Sequence, residues 1–266
     1  MEAAQLSERQ QHELEYYEKY STIAAPTEVN FDPILGEKRR PWNSYWHLIG
    51  LVQENFRSEG QRLLDFGCGT GFYSVIFAKI GYDVHGFDIS PNNVAFANAC
   101  ADRYGLLDKC SFAVSVAETL DYPDEYFDIV TGINILHHIE IGSSLEECMR
   151  VLKPGGIALF HEPVRTRVFD TVRESKLGKM IVSKEASFER HITPDERKLS
   201  NEDFQVIRRV GRDHTFERFL LFSRLDRFVK WQRNGASVIE QFDHKLFRWL
   251  PFTRNFGGEC IITLRK

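Results

Sequence analysis

The chain has 266 residues, 42% of them apolar and 27% charged, with a formal net charge of −4. This is the composition of one large soluble domain, or one domain with an elaborate cap, and its acidic balance argues against a nucleic-acid-binding surface. The five cysteines (Cys68, Cys100, Cys110, Cys148 and Cys260) include no CxxC pair, which argues against a disulfide framework or zinc site, and no stretch approaches the ~18–20 apolar residues of a membrane span.

The opening stretch "MEAAQLSERQQHELEYYEKY" is polar and carries no apolar signal core, so a protein of the reducing cytoplasm is the expectation. A helix is expected over residues 7–20, with Ser7 as its cap and Tyr16, Tyr17 and Tyr20 along one edge. Residues 26–48 read as a loop rich in Pro, Gly and basic residues, and a short helix follows to about residue 57.

From residue 61 strands and helices alternate. "RLLDF", "DVHGFDI", "CSFAVSV", "YFDIVTGINIL" and "GGIALFHEP" read as strands. Between them "GFYSVIFAKIG", "SPNNVAFANACADRYG" and "SLEECMRVLK" read as helices, the second capped by Ser90 with Pro91 at its first position. This rhythm predicts βαβ units and an α/β fold with a mostly parallel, doubly wound sheet. After residue 163 the rhythm changes: 164–203 is polar, "QVIRRV" (205–210) reads as a strand, 216–250 reads as two helices joined near Asn234-Gly235, and "GECIITLRK" reads as a closing strand.

Within "LLDFGCGTGFYS", Gly67, Gly69 and Gly71 follow the first strand directly, with Asp65 just upstream and Cys68 as a small packing residue between them. Bare backbone between a strand and a helix permits a tight turn and close approach of a ligand. The spacing G-x-G-x-G is one residue shorter than the dinucleotide fingerprint, and no Gly-Lys-Ser/Thr is present for a phosphate loop. Asp65 beside the loop suits a cationic ligand. Asp88, at the end of the second strand, stands where a carboxylate can accept ribose hydroxyls.

"LLDFGCGTGFYS", "GFDIS", "AETLDYPDEYFDIVTGINILHHI" and "VLKPGG", in order over about residues 60–162, together resemble the class I S-adenosylmethionine-dependent methyltransferases. The resemblance implies a Rossmann-like, doubly wound seven-stranded sheet with an antiparallel last strand. It also implies that the cofactor is S-adenosyl-L-methionine, leaving as S-adenosyl-L-homocysteine. Asp65, acting on the ammonium directly or through water, and the backbone around Gly67, Cys68, Gly69 and Gly71 would hold the methionine moiety. Asp88 would take the ribose, Ile89 would pack on adenine, Ala117 and Glu118 would edge it, and Asn134 would contact the methionine end. Where many relatives have Asp-Ala-Glu this chain has Val116-Ala117-Glu118, so the backbone N–H of Ala117 replaces a carboxylate as the expected adenine contact.

Methyl transfer is an in-line displacement, so the protein chiefly aligns the acceptor and excludes water. The catalytic candidates are His137 and His138 after the fourth strand, and His161 and Glu162 at the end of the fifth. One of the histidines could equally be structural, and Glu162 could simply pair with a following arginine. Neither the Asn-Pro-Pro-Tyr nor the Pro-Cys motif of nucleic-acid-modifying relatives occurs, and no carboxylate cluster for a metal is evident.

The expected organisation is a helical lid and substrate region (1–58), the S-adenosylmethionine-binding core (59–163), a cap insertion (164–254) and the final core strand (255–266). Residues 217–254 hold eight Lys/Arg against four Asp/Glu, so this segment is net +4 while the remainder sums to −8. Leu221, Phe222, Leu225, Phe228 and Val229 recur at helical spacing within it. Two readings stand: a helix packed on the domain with charges outward, or a basic, aromatic surface for an anionic or lipid-linked acceptor. The functional expectation is O- or N-methylation of a small molecule, such as a sugar or glycan precursor. The alternatives are a lipid-linked acceptor at a membrane surface, a non-catalytic cofactor-binding protein, and an oxidoreductase, which the glycine spacing opposes.

Overall fold

A computed structural model describes residues 6–21, 28–29, 31, 40, 42–57, 59–166, 197–225, 232–233 and 236–266. Strands β1 (Arg62–Phe66), β2 (Asp83–Asp88), β3 (Cys110–Val114), β4 (Phe127–Ile133), β5 (Leu152–Pro163), β6 (Asp213–Phe219) and β7 (Glu259–Arg265) form one sheet in the order β3-β2-β1-β4-β5-β7-β6. The pairs from β3 to β5 are parallel, whereas β7 runs antiparallel to both β5 and β6. This is the seven-stranded, doubly wound architecture expected from the resemblance.

Among the described residues the α-helices are α1 (Glu8–Ser21), α2 (Ser44–Asn55), α3 (Phe72–Ile80), α4 (Pro91–Arg103), α5 (Ile141–Val151), α6 (Asn201–Val210) and α7 (Val238–Trp249). Each central strand is apolar on both faces because helices cover both. Leu64, Phe66, Phe160 and Ile262 pack with α5 and α6, whereas Leu63, Ile129, Leu159 and Ile261 pack with α2 and α3. Alternate residues of one strand therefore feed two separate cores, the period of two expected of a pleated strand.

The C-terminal regions differ from the sequence reading in two places. "QVIRRV" lies in helix α6, because Ser200 and Asp203 form a reciprocal capping box and Phe204 and Ile207 bury one face. The sixth strand is Asp213–Phe219, in the stretch read as the start of a helix; only Phe219 at its end is buried, as suits a half-exposed edge. Leu221 and Phe222 consequently sit in a turn rather than on a helical stripe, while Phe228 and Val229 lie outside the described residues. Most of residues 164–196 also lies outside them.

Strand order reverses between β1 and β4, whose carboxyl ends open the crevice where such sheets bind ligands.

Candidate active site

The loop leaving β1 is built by close contact. Gly67 (φ +75°) and Gly71 (φ +79°) adopt the left-handed conformation that other residues resist. A Cβ on Gly67 would lie 2.5 Å from Ile135 Cδ1, and one on Gly71 would lie 2.8 Å from the Cα of Ala97 in α4. The loop is thus pinned between the β4 turn and α4, while at Gly69 a Cβ would meet no atom within 4 Å. Cys68 is buried against β2, and burial pushes its thiol well above the ordinary range, which suits packing rather than nucleophilic work.

Asp65 points away from this opening. Its carboxylate accepts the Ser74 hydroxyl at 2.5 Å in a buried setting, and burial pushes its pKa up to about 6.

Asp88 ends β2 with its carboxylate fixed by three donors. Oδ2 accepts Gly69 N–H at 3.0 Å, and Oδ1 accepts Ser90 N–H at 2.9 Å and Asn93 Nδ2 at 3.1 Å. A carboxylate offers roughly four acceptor positions, so Asp88 retains about one for a ligand. Burial raises its pKa against the lowering effect of those donors.

A cavity of ≈ 230 Å³ lies over these groups. Gly67, Gly69, Asp88 and Ile89 form its floor; Ser115 to Glu118 edge it; Ile133, Asn134 and Ile135 close the β4 side. Asp65, Cys68 and Gly71, and likewise His137, His161 and Glu162, are not among its lining residues.

Helix α1 roofs the cavity with Glu13 and Tyr17. Its tethers are polar: Arg9 donates to the His137 carbonyl at 2.9 Å, Gln10 donates to Glu118 at 2.9 Å, and Glu18 accepts the Ser90 hydroxyl and Asn92 Nδ2, both at 2.6 Å.

At the end of β4, Asn134 holds φ +57° and donates its N–H to the His161 carbonyl at 2.8 Å. The following turn is held by Glu162. One oxygen accepts the N–H groups of Ile135 (2.9 Å) and Leu136 (2.8 Å), and the other meets His137 Nδ1 at 2.6 Å. Of the two adjacent histidines only His138 reaches the cavity, with Tyr17 hydroxyl 3.2 Å from its Nε2 and Glu13 Oε2 3.0 Å from its Nδ1.

His161 belongs to a second polar cluster. Its Nε2 lies 3.1 Å from Glu259 Oε2 and 3.0 Å from Ser44 Oγ, and Ser44 donates to the same carboxylate oxygen at 2.6 Å. Burial raises the Glu259 pKa, but the His161 and Ser44 contacts outweigh it and hold the carboxylate below its usual range. His161 Nδ1 is buried without a hydrogen-bond partner. Tyr45 lies against the ring at 4.1 Å between centroids and is hydrogen-bonded to Asn134, which joins this cluster to the cavity wall.

The structure thus gathers seven sequence-predicted residues on one cavity: Gly67, Gly69, Asp88, Ile89, Ala117, Glu118 and Asn134, with His138 beside them. Sequence reasoning missed Glu13, Asn93, Ser44, Tyr45 and Glu259. Asn93 carried a usable signal, standing three residues after the cap Ser90, where a side chain returns toward the preceding strand end. Among the described residues no group of three His, Cys, Asp or Glu could hold a metal ion.

Residues 64–160 match the family profile described as a methyltransferase domain. A ubiquinone biosynthesis O-methyltransferase of Cereibacter sphaeroides is 28% identical over 169 residues, covering 62% of this chain and 65% of its own length. The chain therefore spans just under two thirds of that relative. A protein of the same description from Rhodopseudomonas palustris is 37% identical over 100 residues, covering 37% of this chain and 38% of its own length. Among solved structures, a geranyl diphosphate C-methyltransferase from Streptomyces coelicolor superposes with TM-score 0.57 at 16% identity, covering 98% of each chain. The [4+2]-cyclase SpnF superposes with TM-score 0.55 at 24% identity, covering 83% of this chain and 80% of its own. These two likenesses concern the fold.

Proposed function

We propose that this chain, a member of the class I S-adenosylmethionine-dependent methyltransferase family, methylates a small-molecule acceptor on oxygen. The observation that carries the cofactor half is the joint placement of Asp88, the open Gly69 and the 115–118 edge around one cavity. The residues fit the cofactor. Asp88 keeps about one acceptor position for a ribose hydroxyl, Ile89 and Ala117 offer apolar and backbone contact to a purine, and Gly67, Gly69 and Asn134 flank the remaining space. Asp65, turned to Ser74, acts here as a positioning residue for the loop.

When bound, S-adenosylmethionine supplies a sulfonium methyl group open to displacement by a nucleophile. The chain's own work is to orient the acceptor and take its proton. His161, which stands outside the cavity lining but is joined to its wall through Tyr45 and Asn134, is the base that the geometry favours. With Glu259 facing Nε2, the proton belongs on Nε2, leaving Nδ1 with its lone pair free to accept from a hydroxyl. Glu162 and His137 satisfy one another and fix the β4 turn, so their role is positioning. His138 faces the α1 roof and helps to exclude water. The relatives named as O-methyltransferases support oxygen as the acceptor atom.

Calorimetric titration with S-adenosylmethionine, S-adenosylhomocysteine and NAD tests the reading. Saturable binding of the two sulfur compounds with no heat from NAD is expected, followed by methyl transfer to hydroxyl acceptors in a labelled-methyl screen. Failure of both sulfur compounds to bind would overturn it.

A further inference from the structure

Among the described residues the exposed large apolar side chains are concentrated outside the cavity lining. Among the described residues eight large apolar side chains are more than a third exposed. Six of them (Phe222, Phe242, Trp249, Leu250, Phe252 and Phe256) fall within residues 222–256. Trp249 is 77% exposed and Phe252 63%. Singly exposed apolar residues are ordinary, but a concentration of aromatic rings in one region marks an interaction surface.

These residues form one patch. The rings of Phe222 and Phe242 lie 6.0 Å apart. Phe242, Lys245 and Trp249 follow one another at i, i+3 and i+7 along α7, and so share its outer face. Leu250 ends α7 and leads directly into a 3-10 helix, Pro251–Phe256, which Arg224 ties back by donating to the Phe256 carbonyl at 3.2 Å.

Charge is sorted across the same elements. The two acids of Val238–Phe256 turn inward. Glu240 accepts Asn43 Nδ2 at 3.0 Å, and buried Asp243 accepts the N–H groups of Leu221, Phe222 and Ser223 and the Ser223 hydroxyl. The three bases, Lys245, Arg248 and Arg254, are exposed on the same elements as the aromatic rings. In a chain of net charge −4 this is a local cationic, aromatic surface. A second copy of the chain is a poor occupant, because an isologous contact would set the same three cations against one another. An anionic bilayer is complementary on both counts. Rings sit at the headgroup boundary, while Lys and Arg lay their stems on apolar surface and pair with lipid phosphates.

We propose that Val238–Phe256, with Phe222, is a docking surface for an anionic lipid bilayer. The proposal does not depend on the methyl-transfer reading, since vesicle binding is measured without cofactor or acceptor. Glu240 of α7 accepts from Asn43, which immediately precedes Ser44 and Tyr45 of α2, so α7 is tied to the element that carries the His161 cluster.

The test is co-sedimentation of the full chain with vesicles of phosphatidylcholine alone, and of phosphatidylcholine mixed with phosphatidylglycerol, at low salt. The chain is expected to pellet with the anionic vesicles and not the neutral ones, and less so near 1 M salt, where the Debye length is ~3 Å. The double variant Trp249→Ala/Phe252→Ala should lower partitioning about tenfold or more, from lost apolar burial. Lys245→Glu/Arg248→Glu should do the same through charge. These side chains face solvent, so unchanged thermal unfolding and unchanged S-adenosylhomocysteine binding are the expected controls. No binding to anionic vesicles at low salt would overturn the proposal, as would equal binding to neutral vesicles or binding that both double variants retain. So would a dimer that the same variants dissolve in a chain that ignores vesicles.

Discussion

Glu162 grips His137 at 2.6 Å with one carboxylate oxygen and the backbone of the β4 turn with the other. The pair lies at the carboxyl end of the sheet, yet neither partner lines the cavity. It is the fastening by which β5 shapes the turn that presents Asn134, Ile135 and His138. A buried carboxylate with three donors and no exposure is a structural commitment of several kcal/mol, since removing it strands each donor.

Glu162→Ala is accordingly expected to lower unfolding free energy by about 3–5 kcal/mol, the range for breaking a buried pair from one side. Glu162→Gln keeps an oxygen for Ile135 and Leu136 and should cost about 1–3 kcal/mol. Urea unfolding of the three proteins measures both. If Glu162→Ala unfolds within 1 kcal/mol of the parent, the turn is held by something else.

Asp65 gives a pH signature. Its folded pKa, raised to about 6 chiefly by burial, lies above the unfolded value of 3.8, so the folded state binds the proton more tightly. The stability this linkage provides is present below pH 4 and is lost as pH rises to about 6, a change of about 3 kcal/mol. Asp65→Asn keeps an oxygen for Ser74 and removes the titration. Unfolding free energies of parent and variant at pH 4.5 and pH 7 should diverge in the variant's favour as pH rises. Parallel profiles would mean that the carboxylate titrates normally.

The sheet was legible in the sequence because strands buried on both faces become unbroken apolar runs, and because glycine clusters mark where backbone must approach a ligand or a neighbouring element. Five parallel strands, the β1 loop and Asp88 all carry such marks. The edge strand β6 does not: "DHTFERF" is half-solvated, so its alternation is diluted by charge, while the apolar residues of "QVIRRV" mimic a strand although the capping box upstream starts a helix. The roof contacts of Glu13 and Glu18 were hidden for a related reason. A helix held by carboxylates rather than by an apolar stripe looks like an ordinary solvated helix. Glu259 was unreadable because its partners Ser44 and His161 lie 215 and 98 residues away.

That polar tethering makes α1 separable from the core. Glu18 accepts three hydrogen bonds from Ser90 and Asn92, two of them at 2.6 Å. Glu18→Ala should loosen the roof while leaving the two cores intact. Amide exchange over residues 8–21 should accelerate several-fold, S-adenosylhomocysteine should dissociate faster, and global unfolding should shift by only about 1–2 kcal/mol, the cost of a few part-exposed hydrogen bonds. Equal loss of protection across β1 and β4 would show that α1 and the core open as one unit.

Glu259 offers the sharpest separation of chemistry from binding. It touches His161 but none of the cavity lining, and the His161 and Ser44 contacts hold its carboxylate ionised despite burial. If it fixes the Nε2–H tautomer of His161, then Glu259→Gln, which can turn its amide N–H toward Nε2, frees the histidine to adopt the wrong tautomer. The affinity for S-adenosylhomocysteine should remain within about twofold. Turnover with a hydroxyl acceptor should fall about 10²-fold, the lower end of the contribution of general acid–base catalysis. His161→Ala, which removes the base altogether, should lose at least as much turnover while S-adenosylhomocysteine binding is kept. Should Glu259→Gln raise the acceptor KM with kcat unchanged, the cluster binds the acceptor and the proton leaves by another route.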